Sequence, residues 1–238
     1  MLDLKNRNGP YIIAEAGTNH ASRFPEERLP KALQYVRAAA EAKADAIKFQ
    51  MFANPIQPPD MFCWIDGDEE RSARWALSEL PLDEWRIVKQ EAEAFGMDFL
   101  ASVFQHTTVG WLRDLDVVAT KVASRAARDF PYRDAPAPWL TSTGMHLLPD
   151  DVMGDTRAFK IECESVYPSK YHWCGHYPGF SDHSGTPDRA IGALRRGCKL
   201  IEVHFMIDPA DAGPDLPASL TLDQLALITH ERDLIATP

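Results

Sequence analysis

Polar side chains stand at the ends of apolar runs throughout this sequence, and several are two residues apart. The clearest pairs are Lys48 with Gln50, Ser181 with His183, and Glu202 with His204. Residues two apart on a β-strand point to the same face. A face that carries Lys or Glu is costly to bury without partners, so we expect these groups to meet one another. The pattern predicts a buried polar site assembled from several strands.

Two histidines, His183 and His204, end neighbouring apolar runs. Together with a carboxylate such as Glu15, two imidazoles would suit Mn²⁺, Fe²⁺, Co²⁺ or Zn²⁺. A single histidine in such a place is more often a hydrogen-bonded core or surface residue. The occurrence of two histidines on adjacent strand ends favours a metal site.

Lys48 and Lys121 each interrupt an apolar run, and three interpretations stay open for them. Their ammonium groups could reach water beyond the strand end. They could bind a phosphate or carboxylate, or one of them could be a Schiff-base nucleophile. Serine hydroxyls at matching depth favour the anion site; they belong to Ser102, Ser124 and Ser142.

Three other polar segments have ordinary explanations. Asp215 follows Gly213-Pro and is expected in a turn. The charged run 66–74 predicts a solvated surface. The aromatic segment 171–177 predicts either the lid or wall of a binding site, or a packed loop.

The elements that must position these residues alternate between short apolar runs and amphipathic stretches. Strands are predicted at 11–17, 46–52, 97–104, 118–124, 138–144, 158–165, 177–184 and 200–207. Helices are predicted at 27–43, 83–95, 187–197 and 219–235. Eight strands with helical crossovers predict an α/β fold, a compact (β/α)8 TIM barrel. A doubly wound open sheet gives a similar pattern, but no Gly-rich dinucleotide turn follows the first strand.

Prolines restrict the connections in the middle of the chain. Pro131, Pro136 and Pro138 crowd the gap after strand 4, and Pro168 and Pro178 bracket the gap after strand 6. We therefore expect shortened or missing helices after strands 4 to 6. No linker divides the sequence, so residues 1–238 are predicted to form a single domain.

Composition excludes several classes of protein. The chain has 238 residues, with 25 basic and 35 acidic side chains and a net charge of −10. This balance argues against a general nucleic-acid or anionic-membrane binder. No apolar run approaches the roughly 20 residues of a spanning helix, and the N-terminus lacks a signal-peptide core. The four cysteines show no C-x-x-C spacing, so a cytoplasmic protein with reduced thiols is expected.

Nine segments, in order, resemble the sialic acid synthase (N-acetylneuraminate synthase) family. They are YIIAEAGTNH, ADAIKFQMF, PLDEWRIVKQEAEAFGMDFLASVF, TKVAS, TSTGM, ESVYP, FSDHS, IEVHF and AGPDLPASL. The resemblance implies a (β/α)8 barrel that condenses phosphoenolpyruvate with an open-chain amino-sugar aldehyde. It also implies a divalent metal, Mn²⁺ first, with Mg²⁺, Co²⁺, Fe²⁺ and Zn²⁺ as the other candidates.

The resemblance assigns roles to the polar strand ends. His183 and His204 look like the metal ligands. The phosphoenolpyruvate cradle would consist of Lys48, Lys121, Ser102, Ser124, Ser142, Ser181 and Tyr167. Glu15, Gln50 and Asp215 look like polar contacts to the sugar or the metal. The predicted catalytic groups are Lys48, Lys121, Glu15 and Glu162.

The sequence departs from the family pattern at the segment that follows strand 4. The family usually has an acidic residue two positions after the serine of K-x-x-S, and this chain has Ala126 there. Glu162 or Glu164 could replace that acid from strand 6, and Glu162 is the predicted catalytic group because it stands where the family usually has His. Arg125 and Arg128 flank Ala126 and could hold a substrate carboxylate instead.

Two further departures concern the outside of the barrel. The family's C-terminal antifreeze-like domain is expected to be missing, because the sequence ends at Pro238. The short connections after strands 4 to 6 leave a thin wall, which a partner subunit in a homo-oligomer would cover.

These features predict a phosphoenolpyruvate-dependent transferase that forms a C–C bond to an aldehyde acceptor and releases phosphate. The acceptor would be a sugar or sugar-like aldehyde in unusual-sugar or natural-product biosynthesis. Two alternatives stay open. One is a repurposed metal-dependent aldolase or lyase that does not use phosphoenolpyruvate, and the other is a non-catalytic binding barrel.

Overall fold

Eight parallel strands close into a barrel in the computed structural model, which describes residue 4 and residues 9–53, 60–63 and 69–236. The strands are β1 (Tyr11–Gly17), β2 (Ala46–Met51), β3 (Asp98–Val103), β4 (Thr120–Val122), β5 (Trp139–Ser142), β6 (Ala158–Cys163), β7 (Gly179–Asp182) and β8 (Leu200–His204). Each strand pairs with the next along the chain, and β8 pairs with β1. The predicted (β/α)8 barrel is confirmed, and the open-sheet alternative is excluded because no strand edge is left unpaired.

Helices cover most of the outside of the barrel. They are α1 (Pro25–Glu41), α2 (Glu69–Leu77), α3 (Leu82–Ala94), α4 (His106–Asp114), α5 (Asp150–Met153), α6 (Pro187–Arg195) and α7 (Leu222–Ala236). The predicted shortening after strands 4 to 6 is confirmed. A single turn, α5, follows β5, and residues 123–138 and 164–178 contain no helix. Among the helices of the described ranges, none is long and apolar enough to cross a membrane.

Helices α2 and α4 were not predicted from the sequence. The charged run 66–74 was expected to be a solvated surface, and its residues 66–68 lie outside the described part of the chain. The rest of that run lies in α2, which buries Trp75 against Phe52 and Phe104. High charge concealed this helix, because only one of its residues is buried.

Inward-pointing side chains form two levels inside the barrel. The lower level is apolar and consists of Tyr11, Ile13, Ala46, Leu100, Ala119, Leu140, Ile161 and Leu200. Two residues further along most of these strands, the inward side chain is polar. This upper level holds Glu15, Lys48, Ser102, Lys121, Ser142 and Glu202. The strand period of two therefore stacks a polar level on an apolar floor, at the carboxyl ends of the strands.

Packing outside the barrel fixes the strand that carries Lys48. Trp85 of α3 is fully buried, and its ring centroid lies 5.6 Å from that of Phe49 and 5.3 Å from that of His20. Phe49 points outward from β2, between the inward-pointing Lys48 and Gln50. A well-packed outer layer therefore holds β2, and with it the polar level, in place.

Replacing Trp85 by Ala is expected to lower the free energy of unfolding by about 3–5 kcal/mol, because it leaves a cavity between α3 and β2. Phe95, at the end of the same helix, is 52% exposed and serves as the control. Its replacement by Ala is expected to change stability by about 0.5 kcal/mol. Urea unfolding followed by fluorescence or circular dichroism measures both variants. Equal losses in the two would contradict this account of the packing.

Candidate active site

The polar level opens into a cavity of ≈ 60 Å³ at the carboxyl-terminal mouth of the barrel. Most of the predicted site residues line it: Glu15, Lys48, Gln50, Ser102, Lys121, Ser124, Ser142, Tyr167, Ser181, His183 and His204. The lining also includes Glu202 and Cys163, to which the sequence analysis assigned no role. All eight strands contribute a side chain to its lining, so only the closed barrel brings these groups together.

Two buried lysines form the centre of this cavity. Lys48 Nζ donates to Ser102 Oγ at 2.9 Å and lies 2.8 Å from Glu15 Oε2. Lys121 Nζ donates to Ser142 Oγ at 2.9 Å and lies 3.4 Å from Glu202 Oε2. Their side chains are only 4% and 2% exposed. The interpretation that these ammonium groups reach water is therefore wrong.

The two lysines differ in how firmly they hold their protons. Burial lowers the pKa of both, because it disfavours the charged form. For Lys48 the nearby carboxylates of Glu15 and Glu202 outweigh burial and raise the pKa above its ordinary value. For Lys121 the attraction of Glu202 does not outweigh burial, and the charge of Lys48 opposes it further, so the pKa stays low. Lys48 therefore stays protonated to higher pH, and Lys121 releases its proton more readily.

The two carboxylates of the cavity also differ. Burial opposes ionisation of Glu202, but the ammonium groups of Lys121 and Lys48 outweigh it and hold the pKa of Glu202 below its usual range. Its Oε1 also accepts from Ser181 Oγ at 2.9 Å. Burial raises the pKa of Glu15 although Lys48 opposes this. The cavity therefore combines a permanent anion, Glu202, with a carboxyl that can carry a proton.

The histidines lie side by side at the rim of the cavity. Their ring centroids are 5.4 Å apart, and the Tyr167 ring packs edge-on against both. His183 Nδ1 donates to the backbone carbonyl of Glu164 at 2.7 Å, which leaves Nε2 as the nitrogen nearer Ser181. A backbone acceptor on one ring nitrogen is the arrangement that orients metal-binding imidazoles.

The histidine pair fits a divalent metal as two nitrogen donors. Burial lowers the pKa of His204 to about 4, so this imidazole is neutral near neutral pH, as a metal donor must be. Burial also disfavours the charged form of His183, but contacts with Cys163 and with the Glu164 carbonyl outweigh it and raise the pKa. Within the described ranges, no three His, Cys, Asp or Glu side chains form a ready metal-ligand set. The two imidazoles would therefore supply only part of a metal's coordination, and other ligands would have to complete it.

Asp215 lies close to His204 and is not part of the cavity lining. It belongs to a 3-10 helix at Gly213–Ala218, in keeping with the predicted turn. Its side chain is buried, and Oδ2 lies 3.9 Å from His204 Nδ1. At this distance the carboxylate acts on the imidazole through its charge and not through a hydrogen bond, and it opposes the lowering of the His204 pKa.

The predicted catalytic role of Glu162 is contradicted by the direction of its side chain. Cys163 faces the cavity, so the strand period turns Glu162 outward, and it does not line the cavity. Its Oε2 accepts from the Tyr171 hydroxyl and the Cys174 amide, each at 2.8 Å, and Oε1 accepts from the Tyr177 amide at 2.9 Å. Glu162 is the anchor of the 171–177 segment, which is a packed loop.

The segment around the missing acid also differs from expectation. Ala126 is fully buried in the outer core and does not face the cavity. Arg128 is exposed and pairs with Asp129 at 2.8 Å, whereas Arg125 lines a second cavity beside the first. Of the two arginines predicted to hold a substrate carboxylate, only Arg125 is therefore near the site.

Comparison with known proteins connects this geometry to one family. The sequence model described as "NeuB family" matches residues 35–236. The spore coat polysaccharide biosynthesis protein SpsE of Bacillus subtilis is 30% identical over 90% of this chain, and the human N-acetylneuraminate-9-phosphate synthase is 27% identical over 94%. The chain spans 64% and 70% of those two proteins.

A solved structure shares the fold. The N-acetylneuraminic acid synthetase of Leptospira borgpetersenii, crystallised with citrate, superposes with a TM-score of 0.74 at 24% identity. The match covers 99% of this chain and 88% of that one. It agrees with the closed barrel found here.

Replacing Glu162 by Gln is expected to lower the free energy of unfolding by about 1.5–3 kcal/mol, because charged hydrogen bonds to the 171–177 loop are lost. Burial alone would raise the pKa of Glu162, but the amides of Cys174 and Tyr177 and the Tyr171 hydroxyl outweigh it and hold the pKa below the ordinary value of 4.5. The stabilisation is therefore complete above that value and is lost as the pH falls through the folded-state pKa.

Denaturant unfolding at neutral and acidic pH, with hydrogen exchange of the Cys174 and Tyr177 amides, measures this effect. The difference in the free energy of unfolding between the wild type and the variant should become smaller at acidic pH. Glu164→Gln is the control for the exchange measurement, since that carboxylate accepts from Ser169, Lys170 and Tyr171 and not from the Cys174 and Tyr177 amides. Unchanged stability and exchange in Glu162→Gln would show that Glu162 does not anchor the loop.

Proposed function

This chain belongs to the NeuB family, and from that premise we propose that it condenses phosphoenolpyruvate with a sugar or sugar-like aldehyde. The observation that carries the proposal is the pair of buried ammonium groups, Lys48 and Lys121, each beside a serine hydroxyl at the mouth of the barrel. Phosphoenolpyruvate presents a phosphate and a carboxylate close together. A cavity with two lysines and several hydroxyls suits both groups.

Substrate binding would rearrange the charges of the cavity. Without substrate, Lys48 is neutralised by Glu15 at 2.8 Å and Lys121 by Glu202 at 3.4 Å. An incoming phosphate or carboxylate competes with these carboxylates for the ammonium groups. Glu15, whose pKa burial already raises, would take up a proton as Lys48 turns to the substrate. Glu202 keeps its charge because both lysines remain near it.

The reaction would proceed by carbon–carbon bond formation followed by loss of phosphate. The methylene carbon of phosphoenolpyruvate attacks the aldehyde carbon, and the aldehyde oxygen becomes a hydroxyl by gaining a proton. The neighbouring enol carbon becomes electron-poor, and water adds there with loss of a proton. The C–O bond to phosphate then breaks, the proton of the new hydroxyl passes to the departing phosphate, and a 2-keto acid remains. Lys48 and Lys121 would hold the anionic groups throughout, which is electrostatic preorganisation.

Proton transfer needs a group that is protonated near neutral pH and close to the aldehyde oxygen. Glu15 lines the cavity and has a raised pKa, so we assign it this role. Glu202 and its hydrogen bond from Ser181 would stabilise the positive charge that develops on the enol carbon. These two roles follow from the different environments of the two carboxyls.

We also propose that His183 and His204 hold a divalent metal, Mn²⁺ first among the candidates. Such an ion would supply Lewis-acid polarisation of the aldehyde oxygen. Support comes from the neutral imidazole of His204 and from the backbone contact that orients His183. The Asp215 carboxylate, 3.9 Å from His204 Nδ1, would act on this imidazole through its charge.

The synthase proposal is tested by following phosphoenolpyruvate consumption and phosphate release with a panel of aldose and amino-sugar aldehydes in the presence of Mn²⁺. We expect release that depends on the acceptor, and a product whose mass equals acceptor plus pyruvate. Lys121→Met should lower kcat/KM by about a hundredfold or more, because it removes a preorganised charge. Lys199→Met is the control, since Lys199 is exposed.

Two outcomes would contradict the synthase proposal. Release of phosphate without an acceptor-dependent product would exclude bond formation. An adduct on Lys121 that borohydride traps, without consumption of phosphoenolpyruvate, would indicate a Schiff-base aldolase, which the lowered pKa of Lys121 also permits.

The metal proposal is tested by direct Mn²⁺ binding, with calorimetry or the electron paramagnetic resonance signal of the free ion. Loss of an outer hydrogen bond to a metal ligand weakens metal binding by about 10- to 100-fold. His204→Ala removes the ligand itself, so it should weaken Mn²⁺ binding by more than this. His230→Ala is the control, because His230 is exposed on α7. Equal Mn²⁺ affinity in wild type and His204→Ala would exclude this site.

A further inference from the structure

A second cavity of ≈ 150 Å³ adjoins the first at the mouth of the barrel. The two share Gln50, Phe104, Ala123, Ser124 and Tyr167 as common walls. We call it the outer cavity. It is more than twice as large as the ≈ 60 Å³ inner cavity, and it lies on the side of β2, α2 and the segment after β4.

The outer cavity offers an acceptor room to extend beyond the inner cavity. In the proposed reaction the aldehyde carbon lies against phosphoenolpyruvate in the inner cavity, which leaves little room for the remainder of a sugar chain. The shared rim of Gln50, Ser124 and Tyr167 offers polar groups along the passage between the two cavities. The far end of the acceptor therefore meets the walls of the outer cavity.

Those walls carry two guanidinium groups. Arg71 of α2 and Arg125 of the segment after β4 both line the outer cavity and are half-buried. The Arg125 guanidinium carbon lies 5.8 Å from the centroid of the Trp75 ring. Among the described lining residues there is no carboxylate, and the remaining walls include Trp75, Phe104 and Met145. Two positive charges beside an apolar wall favour the binding of an anion in this cavity.

We propose that the outer cavity selects an acceptor whose end remote from the aldehyde carries an anionic group, a phosphate or a carboxylate, bound by Arg71 and Arg125. The inference rests on the proposed function and specifies its acceptor class. Guanidinium groups bind both anions through paired N–H donors. A neutral acceptor of the same length would fill the same space but would not form these charge-assisted hydrogen bonds.

Unreactive ligands test this selection without requiring turnover. A hexitol, the same hexitol with a terminal phosphate, and the matching aldonic acid lack the aldehyde and differ in their terminal charge. Binding of each is measured by calorimetry to wild type, Arg71→Gln, Arg125→Gln, Arg128→Gln and Lys121→Met. Arg128 is the matched control, since it lies three residues from Arg125 and is exposed.

At least one anionic ligand is expected to bind wild type about tenfold or more tightly than the neutral hexitol. Arg71→Gln and Arg125→Gln should abolish that preference, and Arg128→Gln and Lys121→Met should keep it. Comparison of the phosphate with the carboxylate identifies which anion the cavity takes. Equal binding of charged and neutral ligands to wild type would overturn the proposal, as would a preference that only Lys121→Met removes.

This design separates the two proposals. An anion preference that depends on Arg71 and Arg125 supports the outer site even if no aldehyde consumes phosphoenolpyruvate. Consumption of phosphoenolpyruvate with neutral aldehydes alone supports the synthase and overturns the outer site. Folding of each variant is verified from its thermal unfolding midpoint, so that a lost preference reports on the arginine and not on damage to the barrel.

Discussion

The structure depends on the mutual neutralisation of four charges buried at one end of a barrel. Each of these ions, taken from water singly, would cost several kcal/mol. The Lys48 ammonium lies 2.8 Å from the Glu15 carboxylate, and that of Lys121 lies 3.4 Å from the Glu202 carboxylate. Each ammonium also donates a hydrogen bond to a serine hydroxyl. This arrangement is stable only while the strands stay in register. Removal of one partner would leave a buried charge of the opposite sign without its counter-ion.

The rest of the fold serves this constraint. The apolar floor below the charges excludes water from beneath, and the outer layer of aromatic residues around Trp85 holds β2 in position. The shared burial also makes chemically identical groups differ. Glu15 has a raised pKa and Glu202 a lowered one, because Glu202 has both lysines near it whereas burial dominates at Glu15. Acid and anion are thus separated within one cavity by environment alone.

The part of the barrel after β4 to β6 is built differently from the remainder. Full helices are missing there within residues 123–138 and 164–178, and loops held by polar anchors take their place. Glu162 binds three donors of the 171–177 loop, and the buried Trp173 donates from Nε1 to the Tyr177 carbonyl. Residues near the start of these two segments, 123–125 after β4 and Ser165 and Tyr167 after β6, line the outer cavity together with α2.

Periodicity and order along the chain determined the barrel, its shortened connections and most of the cavity lining. A period of two is a local property of a strand, so it places Lys48 and Gln50, or Ser181 and His183, on one face without any tertiary information. The same rule would have turned Glu162 outward, had Cys163 been recognised as the inward residue of β6. The same rule predicts that Glu202 faces the cavity, because it lies two residues before His204 on the same strand.

Only the tertiary structure decided which of these groups meet and what lies around them. The partnership of Lys121 with Glu202 joins residues far apart in the chain, and the burial of both decides their protonation. Arg71 was assigned to a solvated surface, yet α2 brings it to the same cavity as Arg125, while Arg128 turns to Asp129. Sequence patterns report which face a side chain occupies. The energies of charges depend on distance and on exclusion of water, and both are set by how the strands and loops close on one another.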